Sequence, residues 1–314
     1  RLSNIRIATH VSTYPTGKSA QACGMSMHLK GLIITALGVL FVVPDALFVK
    51  LIVAEPMVIA FWRGVTVAVF ILAFVLVFSG PRSIGVVLSE GWPVWLYMVL
   101  IASTAPGFVL AITQTSVANA VFIFASMPVF AALFGWLMLA ERIGRRMVLT
   151  MAGVFMGLAI IAYGSQQSEI ASWRGDIWAL YVSAAYALAL TAIRKVRGVY
   201  MLPAIPIAFL GMAILLFPFI DPLPAFADQW PVFLLHGGFI AVATSLLTLG
   251  PRYISAAEVA LLILLESVLA PLLVWAVLGE DPGVWALLGG AVVIGVLVIS
   301  NLLLLRQHRR AQMR

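Results

Sequence analysis

The chain has 314 residues, of which 63% are hydrophobic and 10% are charged. Soluble domains are about 45–50% apolar and ~25% charged, so this composition excludes a soluble enzyme, a nucleic-acid binder and a disordered protein. The mean hydropathy of +1.11 indicates a chain that uses lipid as its solvent. The net charge of +7 must then be explained by where the basic residues lie. The single cysteine, Cys23, excludes an intrachain disulfide and a cysteine-based metal site.

Ten apolar runs are long enough to cross a bilayer core, which takes about 20 residues in a helix. The runs are too long, and alternate too little, to be barrel strands. The sequence therefore predicts an all-α integral membrane protein with ten transmembrane helices. The predicted spans 1 to 10 cover residues 31–50, 56–78, 93–113, 118–140, 146–163, 175–193, 202–220, 231–249, 257–279 and 284–305.

The two ends of the chain differ from this pattern. Residues 1–30 are polar and mixed, and we interpret them as a disordered cytoplasmic tail, with Met25 or Met27 as alternative start residues. Residues 306–314 form a basic cytoplasmic C-terminal tail. The first apolar run lacks a small-residue cleavage site, so we predict a retained span rather than a signal peptide.

The basic residues favour one orientation. With a cytoplasmic N-terminus, 16 of the 19 Lys and Arg residues fall in cytoplasmic segments, and only Lys50, Arg63 and Arg174 do not. Positive residues are enriched on the cytoplasmic side of membrane proteins. We therefore predict a multi-pass protein of the plasma (inner) membrane with both termini in the cytoplasm, and the net charge requires no nucleic-acid partner.

The chain repeats itself at an offset of about 139–144 residues. The two units, 31–165 and 175–305, each hold five spans, and because five is odd the second unit enters the membrane inverted. Inverted repeats are typical of secondary transporters, in which one half rocks against the other to give alternating access. The matching segments are 92–94 with 230–232, 135–141 with 274–280, 153–157 with 291–295, Lys50 with Arg194 and Glu141 with Glu280.

Several segments resemble a known family. The segment 119–130, followed by Leu139-Ala140-Glu141-Arg142, resembles the fourth-helix signature of EamA-type members of the drug/metabolite transporter superfamily, and 256–280 resembles its second copy. Ala60-Phe61-Trp62-Arg63 is similar to the family's second-helix pattern, whereas Pro44-Asp45 stands where many members have Trp-Gly. The resemblance covers residues 31–305. It implies a ten-helix inner-membrane carrier, often an exporter of amino acids, other metabolites or drugs.

The candidate charged residues for substrate binding or coupling are Asp45, Arg63, His236 and Glu266. An ionisable group costs about 2.5–3.5 kcal/mol or more at the bilayer centre, so such groups face a cavity or a partner. Asp45 follows Pro44, which can kink span 1, and lies at a depth similar to that of Arg63 in span 2. This placement predicts either a substrate-binding or gating pair, or a static ion pair between the two helices.

Glu266 lies ten residues into span 9, near its centre. We interpret it as a proton-coupling carboxylate or a partner for a substrate ammonium, the alternative being a protonated acid that hydrogen-bonds between helices. His236, in the outer part of span 8, is interpreted as simply hydrogen-bonded, with a proton relay as the alternative. Asp45, Arg63 and Glu266 each occur in only one repeat, which favours a role in specificity over a role in folding.

Four uncharged residues complete the candidate set. Trp62 and Tyr186 offer rings that can stack on a substrate, although packing is their default role. Gln114 and Asn119 flank the turn between spans 3 and 4, where satisfying the helix ends is the expected role. Small residues at Gly153-x-x-x-Gly157 and Ala291-x-x-x-Gly295 let spans 5 and 10 approach closely. They join either the two halves or two protomers of a homodimer.

The sequence therefore predicts a secondary transporter, an exporter of small metabolites such as amino acids, with protons as the candidate coupling ion and the bilayer as its solvent. The alternatives are a multidrug or toxic-compound efflux carrier and a polytopic membrane enzyme acting on lipid-linked substrates. We do not favour an enzyme, because the loops are short and lack paired acids or metal-ligand spacing. No Gly-x-x-x-x-Gly-Lys loop occurs, which excludes an ATP-driven pump. We expect no cofactor and no metal.

Overall fold

The computed structural model describes residues 18–166, 171–194, 196, 200–250, 253–254 and 256–312. These residues form helices and short connections, without strands. Nine helices in this described part are long and apolar enough to cross a membrane. The prediction of an all-helical membrane protein is confirmed. The predicted span 7 is the exception, because it forms the shorter apolar helix Ala204–Phe219.

The helix bounds follow the predicted spans closely. Between spans 2 and 3 lies a short additional helix, Arg82–Ser89. Pro203 precedes span 7 and Pro218 lies in the 3₁₀ turn Phe217–Phe219 that ends it, which limits its regular part. The observed helices are Lys18–Val42 and Asp45–Leu51 (span 1), Pro56–Phe78, Trp92–Gln114, Val117–Phe124 and Met127–Leu139 (span 4), Arg145–Ser165, Trp173–Ile193, Ala204–Leu216, Leu223–Leu249, Ala256–Leu278 and Val284–Gln312.

Three boundaries differ from the expectation. The first helix begins at Lys18, so residues 18–30 of the predicted disordered tail are helical, and residues 1–17 lie outside the described residues. The last helix continues to Gln312, through most of the predicted C-terminal tail. Span 8 begins eight residues early, at Leu223, because its helix passes Pro231 by means of a kink at Gln229 (φ −130°, ψ 21°). A proline inside a helix removes one backbone hydrogen bond and favours such a kink.

Two spans are broken near proline. Span 1 stops at Val42 and restarts at Asp45, and the carbonyl of Pro44 accepts the first hydrogen bond of the new helix from Phe48 at 2.9 Å. Span 4 is interrupted between Phe124 and Met127, just before Pro128. Broken helices at membrane depth are tolerated where they are buried in protein or line a cavity. The predicted kink at Pro44 is therefore present, whereas the break in span 4 was not foreseen.

The two repeats interlock rather than standing apart. Span 3 packs on span 6, span 1 on span 8, and span 5 on span 10. A Cβ at Gly157 would overlap the backbone of Gly289 and the side chain of Val293, so the small face of span 5 is used within the chain to join the halves. Ala291 is exposed, and nothing lies within 4 Å of the position of a Cβ at Gly295. The small face of span 10 therefore points away from span 5.

Candidate functional site

A buried ion pair joins spans 1 and 2. Nε and Nη2 of Arg63 donate hydrogen bonds to Oδ1 and Oδ2 of Asp45 at 3.1 and 2.7 Å. The restart of span 1 after Pro44 places Asp45 in the first turn of a helix, where the helix dipole favours a carboxylate. The guanidinium also lies over the ring of Phe108, with Cζ 5.0 Å from the ring centroid. The structure thus brings Asp45 and Arg63 into direct contact.

His236 is the third member of this cluster. Its Nε2 lies 2.6 Å from Oδ1 of Asp45, and its ring is fully buried and stacks on Phe48 at a centroid distance of 5.3 Å. Nδ1 makes no hydrogen bond to the described residues. The neighbouring Gly237 lets span 8 approach span 2 closely, since a Cβ there would overlap Thr66. The carboxylate of Asp45 is therefore held by both repeats.

In the sequence, His236 stands as a lone ionisable side chain. The contact joins residues 191 positions apart, and nothing in the local pattern of span 8 indicates it. The available signal was that span 8 contains one ionisable group deep in an apolar run, opposite a span with an acid at comparable depth. Asp45, Arg63 and His236, which we call the central cluster, are the most completely paired charges of the candidate set.

Glu266 lies near the central cluster without bonding to it. Its side chain is partly buried, and its carboxyl interacts electrostatically with Asp45 and Arg63. Tyr186, 39% exposed, interacts with Glu266 and Arg63. No hydrogen bond or ion pair connects Glu266 to the described residues. Glu266 is therefore the acid near the central cluster that keeps its carboxyl available.

Trp62 has partners of its own. Its Nε1 donates to the carbonyl of Pro222 at 2.7 Å, and its ring stacks on Phe226 with centroids 3.9 Å apart. The ring of Phe233 lies 6.2 Å away. This aromatic group connects span 2 to the start of span 8. The indole N–H of Trp62 is thus engaged by the protein, and its ring packs against other aromatic rings.

A second buried acid, Asp176, was not among the residues predicted from the sequence. Its Oδ1 accepts hydrogen bonds from Thr115 at 2.8 Å and Asn119 at 3.4 Å, and its Oδ2 accepts one from Ser165. Asn119 also donates to Ser165 at 2.7 Å. We call these four residues the Asp176 network. The signal was present, because Asp176 lies inside predicted span 6.

The Asp176 network lies at the end of the bundle where spans 1, 3 and 5 finish, which we call the Leu51 end. It joins the turn between spans 3 and 4 to the start of span 6. Asn119 therefore satisfies helix ends, in line with its expected structural role, and lies apart from the central cluster. Gln114 is partly buried beside it, at the end of span 3. The structure thus divides the candidate residues into a central group and a group at the Leu51 end.

The described residues contain no group of three His, Cys, Asp or Glu side chains that could hold a metal ion. The central cluster and Glu266 instead provide ionisable groups that can bind a charged substrate. They combine a guanidinium, a paired carboxylate, a free carboxyl and a buried imidazole, at the junction of two repeats.

This combination of two helical repeats with charged groups between them defines a membrane carrier. The family model of the EamA-like transporter family matches residues 29–163 and 173–302. The chain belongs to that family, whose members are membrane transporters rather than enzymes, and the resemblance found in the sequence is confirmed. One solved protein structure is similar over 88% of this chain and 98% of its own, with a TM-score of 0.62 and 19% identity. That likeness concerns the fold alone. No curated protein matches the chain.

Proposed function

We propose that this protein is a secondary transporter that exports small metabolites, amino acids in particular, across the inner membrane by alternating access. The observation that carries the proposal is the meeting of Asp45 and Arg63 from the first repeat with His236 and Glu266 from the second. Charged groups are costly within a membrane and mark substrate or ion pathways. A site at the junction of inverted repeats is where rocking of the halves changes access.

The charges of Glu266 and Arg63 are complementary to those of a zwitterion. Glu266 has no cationic partner in contact among the described residues, and it can receive a substrate ammonium. Arg63 has five N–H donors, of which two bond to Asp45. The remaining donors can receive a substrate carboxylate. An α-amino acid carries both groups on one carbon, and the ring of Tyr186 lies near Glu266 to contact its side chain.

Proton coupling follows from the same carboxyl. Glu266 binds either a proton or the substrate ammonium, so that protons entering through the carrier release substrate in exchange. In the proposed orientation both termini are cytoplasmic, the Leu51 end is extracytoplasmic, and Ala204–Phe219 serves as a tenth crossing. Two repeats of five crossings then run in opposite directions.

Transport in proteoliposomes tests the proposal. Purified protein should carry radiolabelled neutral amino acids, with the flux increased by an opposing proton gradient. Glu266→Gln should lose this gradient dependence and remain folded, whereas Glu55→Gln, at an exposed acid, should retain it. An unchanged pH dependence in Glu266→Gln would reject the coupling role. Transport of hydrophobic cationic drugs without amino acids would favour the multidrug alternative, and a growth screen with toxic amino-acid analogues would identify the substrate.

We also propose a homodimer in which span 10 contributes its outward small face at Ala291 and Gly295. Span 5 is already packed on span 10 within the chain, so its small face is not available to a second protomer. Ala291→Cys, in a Cys23→Ser background, should form a disulfide-linked dimer in membranes. The matched control is Phe155→Cys, on an exposed position of span 5. Equal crosslinking of the two variants would reject this interface.

A further inference from the structure

Two ion pairs join the repeats at opposite ends of the bundle. At the Leu51 end, Nζ of Lys50 lies 3.0 Å from Oε2 of Glu280. At the other end, both terminal nitrogens of Arg194 contact the carboxylate of Glu141. In each pair, one residue belongs to the first repeat and its partner to the second. Neither pair belongs to the central cluster, and both lie near helix ends.

The inverted repeat relates the two pairs to each other. Lys50 and Arg194 occupy equivalent positions at the ends of spans 1 and 6, and Glu141 and Glu280 occupy equivalent positions after spans 4 and 9. Exchanging the repeats therefore turns the pair Lys50–Glu280 into the pair Arg194–Glu141. The chain uses one electrostatic contact twice, once at each end. A carrier with alternating access needs a closing contact of this kind at both ends, because each end must close in turn.

The two pairs differ in burial. The side chains of Lys50 and Glu280 are 20% and 12% exposed, whereas those of Arg194 and Glu141 are 49% and 45% exposed. Oε1 of Glu280 also accepts the backbone N–H of Val117, at the start of span 4, at 2.7 Å. Exposed ion pairs are weak and screened by salt. Breaking a buried pair is costly because it leaves a charge without its partner.

Other contacts between the repeats add to the closure of the Leu51 end. The side chain of Gln229 makes two hydrogen bonds of 2.9 Å with the backbone of Val53, at an exposed position. At the opposite end His28, itself well exposed, pairs with Glu258 at 2.8 Å. The ion pair at the Leu51 end is thus shielded from water more than either ion pair at the opposite end, where span 5 is also bonded to span 10 through Thr150 and Ser300 at 2.8 Å.

We propose that Lys50–Glu280 and Glu141–Arg194 are the two latches of the transport cycle. In the conformation described here the latch at the Leu51 end is the less exposed of the two, and the solvated latch at the opposite end is the one that opens first. In the other conformation the roles are exchanged, so that Glu141–Arg194 becomes buried and Lys50–Glu280 separates. This inference rests on the alternating access of the proposed function. The alternative is that both pairs are static ties between helix ends.

Distance measurements by electron paramagnetic resonance separate these interpretations. Spin labels are placed at Val53 and Val284 in a Cys23→Ser background, since both positions are exposed and lie on different repeats beyond the latch residues at the Leu51 end. Glu280→Gln removes the charge and keeps an oxygen for the N–H of Val117. We expect it to increase the long-distance population at least twofold. Glu141→Gln is the matched variant and should leave that population unchanged or reduce it.

A charge exchange completes the test. The double variant Lys50→Glu with Glu280→Lys should return the distance distribution toward that of the parent. If Glu280→Gln does not fold, Lys50→Met removes the other charge of the same pair and should increase the long-distance population in its place. An unchanged distribution in Glu280→Gln and in Lys50→Met would show a static tie and overturn the proposal. Equal broadening by Glu280→Gln and Glu141→Gln would show general loosening, which also overturns it. Because the measurement needs no substrate, its result does not depend on the transport assay.

Discussion

The two buried aspartates, Asp45 and Asp176, are satisfied in different ways. Asp45 is bonded by a guanidinium and an imidazole, whereas Asp176 is bonded by two hydroxyls and an amide. Asp176 lies in the first turn of a long helix at the end of the bundle, where the helix dipole and neutral donors suffice. Asp45 lies within span 1, where an acid needs a counter-charge.

The difference teaches which contact is suited to motion. Both acids connect the two repeats, Asp45 through His236 and Asp176 through Thr115, Asn119 and Ser165. The Asp176 network consists of short neutral side chains that bond to one carboxylate, so we expect it to hold these helix ends in a fixed arrangement. The central cluster depends on charges, and a charged substrate changes the balance between them. We therefore expect mutations to separate the two acids into one electrostatic and one structural contact.

Arg63→Ala should have the largest effect on stability. It leaves the buried carboxylate of Asp45 without its cation, and breaking a buried ion pair costs about 3–5 kcal/mol. The free energy of unfolding, measured by SDS titration in mixed micelles, should fall by that order and transport should be lost. Arg82→Ala, at an exposed arginine, is the control. If the two variants unfold alike, the ion pair does not stabilise the bundle.

A charge exchange then tests the pairing itself. Asp45→Arg combined with Arg63→Asp should recover part of the stability lost in either single variant, since the two side chains contact each other directly. The coupling is read from a double-mutant cycle on the same SDS titration. Additive losses would show that each residue acts with other partners. Recovery of stability without recovery of transport would assign a binding role to the original arrangement.

Asp176→Ala should have the next largest effect. It removes the acceptor of Thr115, Asn119 and Ser165, and leaving buried polar groups without partners costs about 1–3 kcal/mol. The affinity for substrate should be unchanged, because the network lies at the Leu51 end and away from Glu266. The measurement is a binding isotherm beside the unfolding curve. A loss of affinity without a loss of stability would contradict the structural role of the network.

His236→Gln should have a smaller effect. The glutamine amide retains a donor for Asp45, and hydrogen bonds between membrane helices contribute about 0.6 kcal/mol on average. The stacking on Phe48 is lost, so a change of about 1 kcal/mol is expected. His236→Leu, which keeps an apolar volume and no donor, is the matched variant and should be less stable than His236→Gln. The reverse order would show that packing, and not the hydrogen bond, positions the imidazole.

The sequence predicted what depends on local composition and depth. Both ends of the helix Pro56–Phe78 were predicted correctly. The sequence also placed Asp45 and Arg63 at similar depths, and the structure shows them in contact. The family was predicted from the segments around Asn119 and Glu258. What escaped prediction depends on packing between distant segments. His236 reaches Asp45 only because Gly237 brings span 8 against span 2, and the donors around Asp176 come from three separate segments.

Glu266→Gln should have the smallest effect on stability and the clearest effect on function. The carboxyl makes no hydrogen bond or ion pair with the described residues, so the change should alter the free energy of unfolding by only about 0.5 kcal/mol or less. The same change removes the group to which we assign the proton and the substrate ammonium. Unfolding curves and proton-driven flux should therefore diverge, in contrast to Arg63→Ala, where both fall together. A large loss of stability in Glu266→Gln would mean that its carboxyl is a structural partner like Asp45, and the comparison between paired and available acids would have to be abandoned.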